Sequence, residues 1–239
     1  MNEDQIELRP PSAQQVARRA LCLCALVCRG YTDNGAGDPH SEQLRERILE
    51  WLSRNELQAH LEPWEADLIS AELGQSPQDC VYKATWAVEG LSVLAWALGR
   101  FDFPAHDQQV DPYAVTDSLY FLADDAKDVI ATARLRGGEE LVASRELMYA
   151  IHCRLRGYLR NKTAGDISHW MEQDWLEALG VDRARLIVDG DLAIGGKPIS
   201  AVGAENVQKC EWAVCQQHRA SIWLVGEEFP SYWGWTVDT

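Results

Sequence analysis

Glu89 is the residue whose type and surroundings could do chemistry. It lies in Tyr82–Arg100 (YKATWAVEGLSVLAWALGR), where the only other charges are Lys83 and Arg100. Wound as a helix, this stretch puts Trp86, Val93 and Trp96 three, four and seven residues from Glu89, on its own face. A carboxylate among tryptophans does not stay bare, because an unpaired charge is very costly to take out of water. It is either protonated or held by a cation, and bidentate guanidinium contacts hold it best.

Two arginines are misplaced in the same way. Arg19 follows Val16 by three residues and precedes Leu23 and Leu26 by four and seven, so it falls on an apolar face, while Arg18 points to the side. Arg219 follows Trp212 by seven residues and precedes Trp223 by four, with His218 beside it. The expected arrangement brings Arg19, Glu89 and Arg219 together with His218 nearby, among Trp86, Trp96, Trp212 and Trp223. Such a cluster is either a structural ion network or a pocket in which surplus positive charge binds a small anion.

Other motifs carry less. Asp124-Asp125-Ala126-Lys127-Asp128 places carboxylates at one-turn spacing, as helical enzymes do for magnesium–diphosphate. No second acidic motif accompanies it, so it reads as a solvated helix end, and no metal is expected. Gly190–Lys197 (GDLAIGGK) lacks the Gly-Lys-Ser/Thr order of a phosphate loop. Of Cys22, Cys24 and Cys28, only the last two share a helical face, and no zinc-like spacing completes them. Neither His-Glu-x-x-His nor Gly-x-Ser-x-Gly occurs, and no cofactor is implied.

The elements that must position these residues are mostly helices. A polar arm covers 1–11. Ser12 then caps a helix to about Arg29, which Gly30 ends. Helices follow over Ser41–Arg54, after Pro63, from Ser76-Pro77 to Gly99, from Asp111-Pro112 through Leu122, over Glu139–Arg160, near Ser168–Leu179 and over Ala204–Gly226. The one strong strand signal is Arg185–Ile199, a hairpin turning at Asp189-Gly190. The tail, FPSYWGWTVDT, reads as docked on the core. The expectation is one mainly α domain over 12–239, with a small β-hairpin at about 185–199 before the last helix.

The 239 residues are 46% hydrophobic, enough for a sizeable core, and carry a formal net charge of -15. That charge disfavours nucleic acid and anionic membranes as partners and suits a basic protein partner. No signal sequence or membrane-length apolar run is apparent. Seven cysteines, mostly in apolar helical patterns, fit free thiols in the cytoplasm.

One family resemblance emerges from these residues. Arg9-Pro10 with Ser12-Ala13 and Val16-Ala17-Arg18-Arg19-Ala20-Leu21, then Trp86-x-x-Glu89-x-Leu91-x-Val93-Leu94-x-Trp96-Ala97-Leu98-Gly99, His218-Arg219-Ala220-x-Ile222-Trp223-Leu224 and the closing Thr236-Val237-Asp238-Thr239 resemble the bacterial domain-of-unknown-function family numbered 4272. The resemblance runs from about Leu8 to the end of the chain. It implies a mainly helical cytosolic protein and supplies no activity. Two functional readings follow. One is a noncatalytic binding or interaction protein that engages a partner through its acidic surface. The other is an enzyme or small-molecule binder with a pocket near Glu89, His218 and Arg219, where the arginines hold an anionic ligand and Glu89 or His218 acts as acid or base.

Overall fold

The computed structural model describes residues 9–124, 126–163, 165–167, 171–227 and 231–234. Ten α-helices and three short strands lie among them, with the strands just ahead of the last helix. The chain divides into two compact units. The first is Ser12–Asp102 with Val110–Leu135. The second is Arg136 onward, joined by the segment up to Pro11 and by Phe103–Gln109.

The first unit is built on α1 (Ala13–Thr32) and α4 (Gln78–Ala97), its closest helix pair. Ser12 and Gln15 form a reciprocal capping box that starts α1. Gly30 does not end this helix as its residue type suggests. A Cβ there would lie 3.0 Å from the Ala84 Cβ and from the Thr85 nitrogen. The glycine is used for close approach of α1 to α4, and the helix runs on to Thr32. Around this pair stand α2 (Pro39–Arg54), α3 (Pro63–Ser70), α5 (Pro112–Ser118) and α6 (Ala126–Ala131). On α2, Ile48, Trp51 and Leu52 are buried as their spacing predicts. The Trp51 indole donates to the Ala123 carbonyl at 3.0 Å. The helix that opens at Pro112 stops at Ser118 instead of continuing to Leu122, because Tyr120 and Leu122 take positive φ angles of 54° and 62°.

The second unit is built on α7 (Gly138–Asn161) and α10 (Ala204–Val225), with α8 (Gln173–Leu179) against α7. The expected helix from Ser168 begins at Gln173, and residues 168–170 lie outside the described residues. The expected hairpin is a three-stranded antiparallel sheet: β1 (Ile187–Val188), β2 (Asp191–Ile194) and β3 (Lys197–Pro198), with Ile187 opposite Leu192 and Ile194 opposite Lys197. Asp189-Gly190, with φ of 51° and 79°, makes the first turn as a two-residue hairpin requires. Gly195-Gly196 makes a second one and adds the third strand. Leu186 belongs to a helical turn, α9 (Arg183–Leu186), because the Asp182 side chain caps it from Ala184. β2 is buried along its whole length, which makes it the sheet's contribution to the core. In the tail, Tyr232 is buried and stands edge-on to Trp223 with ring centroids 5.7 Å apart. Residues 228–230 and 235–239 fall outside the described residues, as do 1–8 of the expected arm.

Candidate functional site

Glu89 is fully buried on α4. Its Oε1 accepts the Val110 N–H at 3.1 Å, and its carbonyl accepts the Ser92 hydroxyl at 2.6 Å. Trp96 and Val93 are buried beside it in the sequence, while Trp86 is half-buried. Its charge also reaches the exposed Tyr31. That phenol is raised above its ordinary range first by partial desolvation and then by the carboxylates of Glu89 and Asp111. Asp111 in turn caps α5 by accepting the Tyr113 N–H at 2.9 Å.

Arg19 is buried on α1, as its spacing requires, and its guanidinium is paired with Glu65 on α3. Glu65 is wholly buried, and its other oxygen accepts the Glu62 N–H at 2.9 Å. One carboxylate therefore both caps α3 and neutralises a cation from α1. Nothing in the position of Glu65, two residues after Pro63, marks either role in the sequence. Arg29 repeats the device. It is fully buried, meets Asp33 at 2.5 Å, and donates to the carbonyls of Ala71 and Glu72 and to the Ser76 hydroxyl. Cys22 lies near the Arg19–Glu65 pair and is an inert thiol, pushed up to about 12 by burial.

Arg219 and His218 belong to the second unit. On α10 the buried side is set by Ala213, Val214, Gln217, His218 and Ser221 rather than by the tryptophans. Arg219 is accordingly half-buried, donating to Gln216 at 2.5 Å and lying 5.1 Å from the Trp233 ring centroid. Trp212, expected on a core face, is exposed, because the small residues of α10 face α7 and turn it outward, whereas Trp223 is buried. His218 is the group that enters the core. Its Nδ1 lies 3.1 Å from Nδ1 of His152 on α7, and His152 Nε2 lies 3.4 Å from a Glu211 carboxylate oxygen. A carboxylate only accepts, so His152 Nε2 carries hydrogen, and one proton serves the facing Nδ1 pair. Burial holds His218 down to about 3, with help from repulsion by His152, Arg145 and Arg219.

Two further buried groups of the second unit, Arg154 and His106, were not selected from the sequence. Arg154 on α7 grips Asp191 with two bonds of 2.6 and 2.7 Å, and Asp191 also accepts the Gly165 and Leu192 N–H groups. These donors outweigh desolvation and hold Asp191 below the usual carboxylate range. The pair ties α7 to β2 and to the loop before it. His106 lies under a cleft of about 550 Å³ at the start of α10, which Lys197, Asn206 and Lys209 also line. Its Nε2 donates to the Ala193 carbonyl at 2.7 Å, and burial favours the neutral ring. Offsets from Met148, Ile151 and Leu155 put His152 and Arg154 on or beside the apolar side of α7, a signal of the same kind as Glu89. Their partners, from 37 to 66 residues away, carry no such signal.

Asp124 is exposed and pairs with Arg54 at 3.2 Å, and Asp125 lies outside the described residues. Among the described residues, no group of three or more His, Cys, Asp or Glu side chains is placed to hold a metal ion, and no helix is long and apolar enough to cross a membrane.

This geometry defines a mainly α-helical protein whose helices are fastened by buried polar pairs. The chain belongs to the family described as Domain of unknown function (DUF4272), whose model matches residues 1–172. The match takes in Arg19, Glu65, Glu89 and Arg154 and ends before the helix of His218 and Arg219. No curated protein and no solved structure matches the chain.

Proposed function

We propose that this is a noncatalytic binding protein that receives a basic polypeptide on a tyrosine-bearing acidic face of its first unit. The observation that carries this reading is the exposure of Tyr31, Tyr82 and Tyr113 at the meeting of α1, α4 and α5. Tyr31 follows Gly30, where α1 touches the turn of α4 that Tyr82 precedes. Tyr113 adjoins Asp111, whose charge reaches Tyr31. Exposed Asp79 lies three residues before Tyr82, and exposed Asp111 and Asp117 lie two before and four after Tyr113. Tyrosine offers large contact area at small entropic cost and binds cations over its ring face. A net charge of -15 steers a cationic partner toward such a surface. In this reading the setting is the bacterial cytoplasm, in keeping with seven cysteines of which none is joined in a disulfide among the described residues.

Calorimetric titration with a short peptide alternating arginine and alanine tests the reading. Binding should weaken steeply with added salt. Replacing Tyr31, Tyr82 and Tyr113 together by alanine should weaken it by about tenfold or more, at roughly 0.5–1 kcal/mol per exposed cation–π contact. Unchanged affinity in the triple variant would sink the reading.

A further inference from the structure

The first unit holds a second concavity of opposite polarity. A notch of about 410 Å³ is lined by Gln14 and Arg18 of α1, Asn55 and Glu56 at the end of α2, His60, and Lys127 of α6. Its volume falls in the range of small-molecule clefts. Arg18 and Lys127 form no hydrogen bond or ion pair with any described residue. Their neighbours have other partners: Arg19 is bonded to Glu65, and Asp124 is bonded to Arg54. Glu56 is the one carboxylate in the lining, against two permanent cations. On a chain this acidic, unpaired cations gathered in a hollow are the reverse of what charge scatter produces. His60 reports the same field. Its proton affinity is lowered by partial burial and then by Arg18 and Arg19.

We propose that this notch binds a small oxyanion, the phosphate or carboxylate group of a metabolite. Arg18 presents a planar fork suited to two oxygens, and Lys127 adds a mobile point charge from the facing helix. Asn55 already gives its amide hydrogen to the Trp51 carbonyl, which fixes the side chain at 2.8 Å. Ile130 and Ala131 supply an apolar wall for the remainder of the ligand. The site is separate from the tyrosine face and does not depend on it.

Thermal-shift titrations of the full chain with sodium phosphate and with sodium malonate, each against sodium chloride at equal ionic strength, test the assignment. At least one anion should raise Tm above the chloride control, because a ligand that binds only the folded state stabilises it by mass action. The stronger of the two identifies the source chemistry. Arg18→Gln should weaken that binding by about tenfold or more, the value of a charge-assisted hydrogen bond. Lys127→Gln, at an exposed position that leaves the fold intact, should weaken it less. Lys197→Gln, in the α10 cleft of the second unit, should leave it unchanged. Failure of both anions to exceed chloride overturns the proposal. So does a loss of binding at Lys197 with none at Arg18 or Lys127.

Discussion

The two units bury polar groups to the same end with different chemistry. In the first unit, Arg19 and Arg29 are each met by a buried carboxylate within the same unit. In the second, the Arg154–Asp191 pair is joined by imidazoles: His152 and His218 face each other between α7 and α10, and His106 is pinned to β2. Guanidinium–carboxylate pairs keep their charges across the neutral range, whereas an imidazole kept neutral by burial takes up a proton near that range once unfolding exposes it. The second unit should therefore be the acid-sensitive part of the molecule.

The sharpest break comes from removing one partner of a buried pair. Asp191→Ala leaves the Arg154 guanidinium buried and uncompensated, which should cost about 3–5 kcal/mol of stability in urea denaturation. Glu65→Ala should cost a comparable amount by stranding Arg19. A loss below about 1 kcal/mol in either variant would mean that its arginine escapes to solvent, below the penalty for a buried unpaired polar group.

Acidification sharpens the comparison next. His218 is held at about 3 in the folded chain, against about 6.5 for an ordinary histidine. Between those values the unfolded chain takes up a proton that the folded chain refuses. The stability is therefore fully present above about pH 6.5 and is lost as the pH falls below it. From pH 7 to 5 the loss from this residue should be about 2 kcal/mol, and His106 adds to it in the same direction. His60 in the first unit is exposed and screened, so its share is smaller. Hydrogen exchange at the two pH values should show protection falling in α7 and α10 before α1 and α4. Equal loss in both units would contradict the comparison.

A smaller effect tests the close approach in the first unit. Gly30→Ala gains about 1 kcal/mol of helix propensity but forces a Cβ to within 3.0 Å of Ala84 and the Thr85 backbone. Overpacking of this kind costs about 1–3 kcal/mol, so a net loss in Tm is expected. The smallest effect is electrostatic. Asp111→Asn should lower the ionisation pH of Tyr31, read by ultraviolet titration, because it removes one of two carboxylates that oppose the phenolate.

Helix periodicity carried the element order, since the amphipathic spacing of Ile48, Trp51 and Leu52 or of the α1 face survives in the folded chain. It also selected Arg19 and Glu89 as buried charges, because a charge on an apolar face is visible from its own helix. It could not name partners. Arg19 meets Glu65 from 46 residues away, and Arg154 meets Asp191 from a strand 37 residues on. On α10 the spacing of Trp212 and Trp223 points to Arg219, yet small side chains decide which side faces α7 and bring His218 inward instead. Gly30 misled because a glycine that ends a helix and one that admits a neighbouring helix look alike in sequence.

The most direct test of the binding account is where a basic peptide touches the chain. Backbone resonances of the labelled protein, followed during titration with the arginine–alanine peptide at low salt, locate the contact. Perturbations centred on Tyr31, Tyr82, Asp111 and Tyr113 are expected. Perturbations centred on α7, α10 or the strands, or none at all, would contradict it.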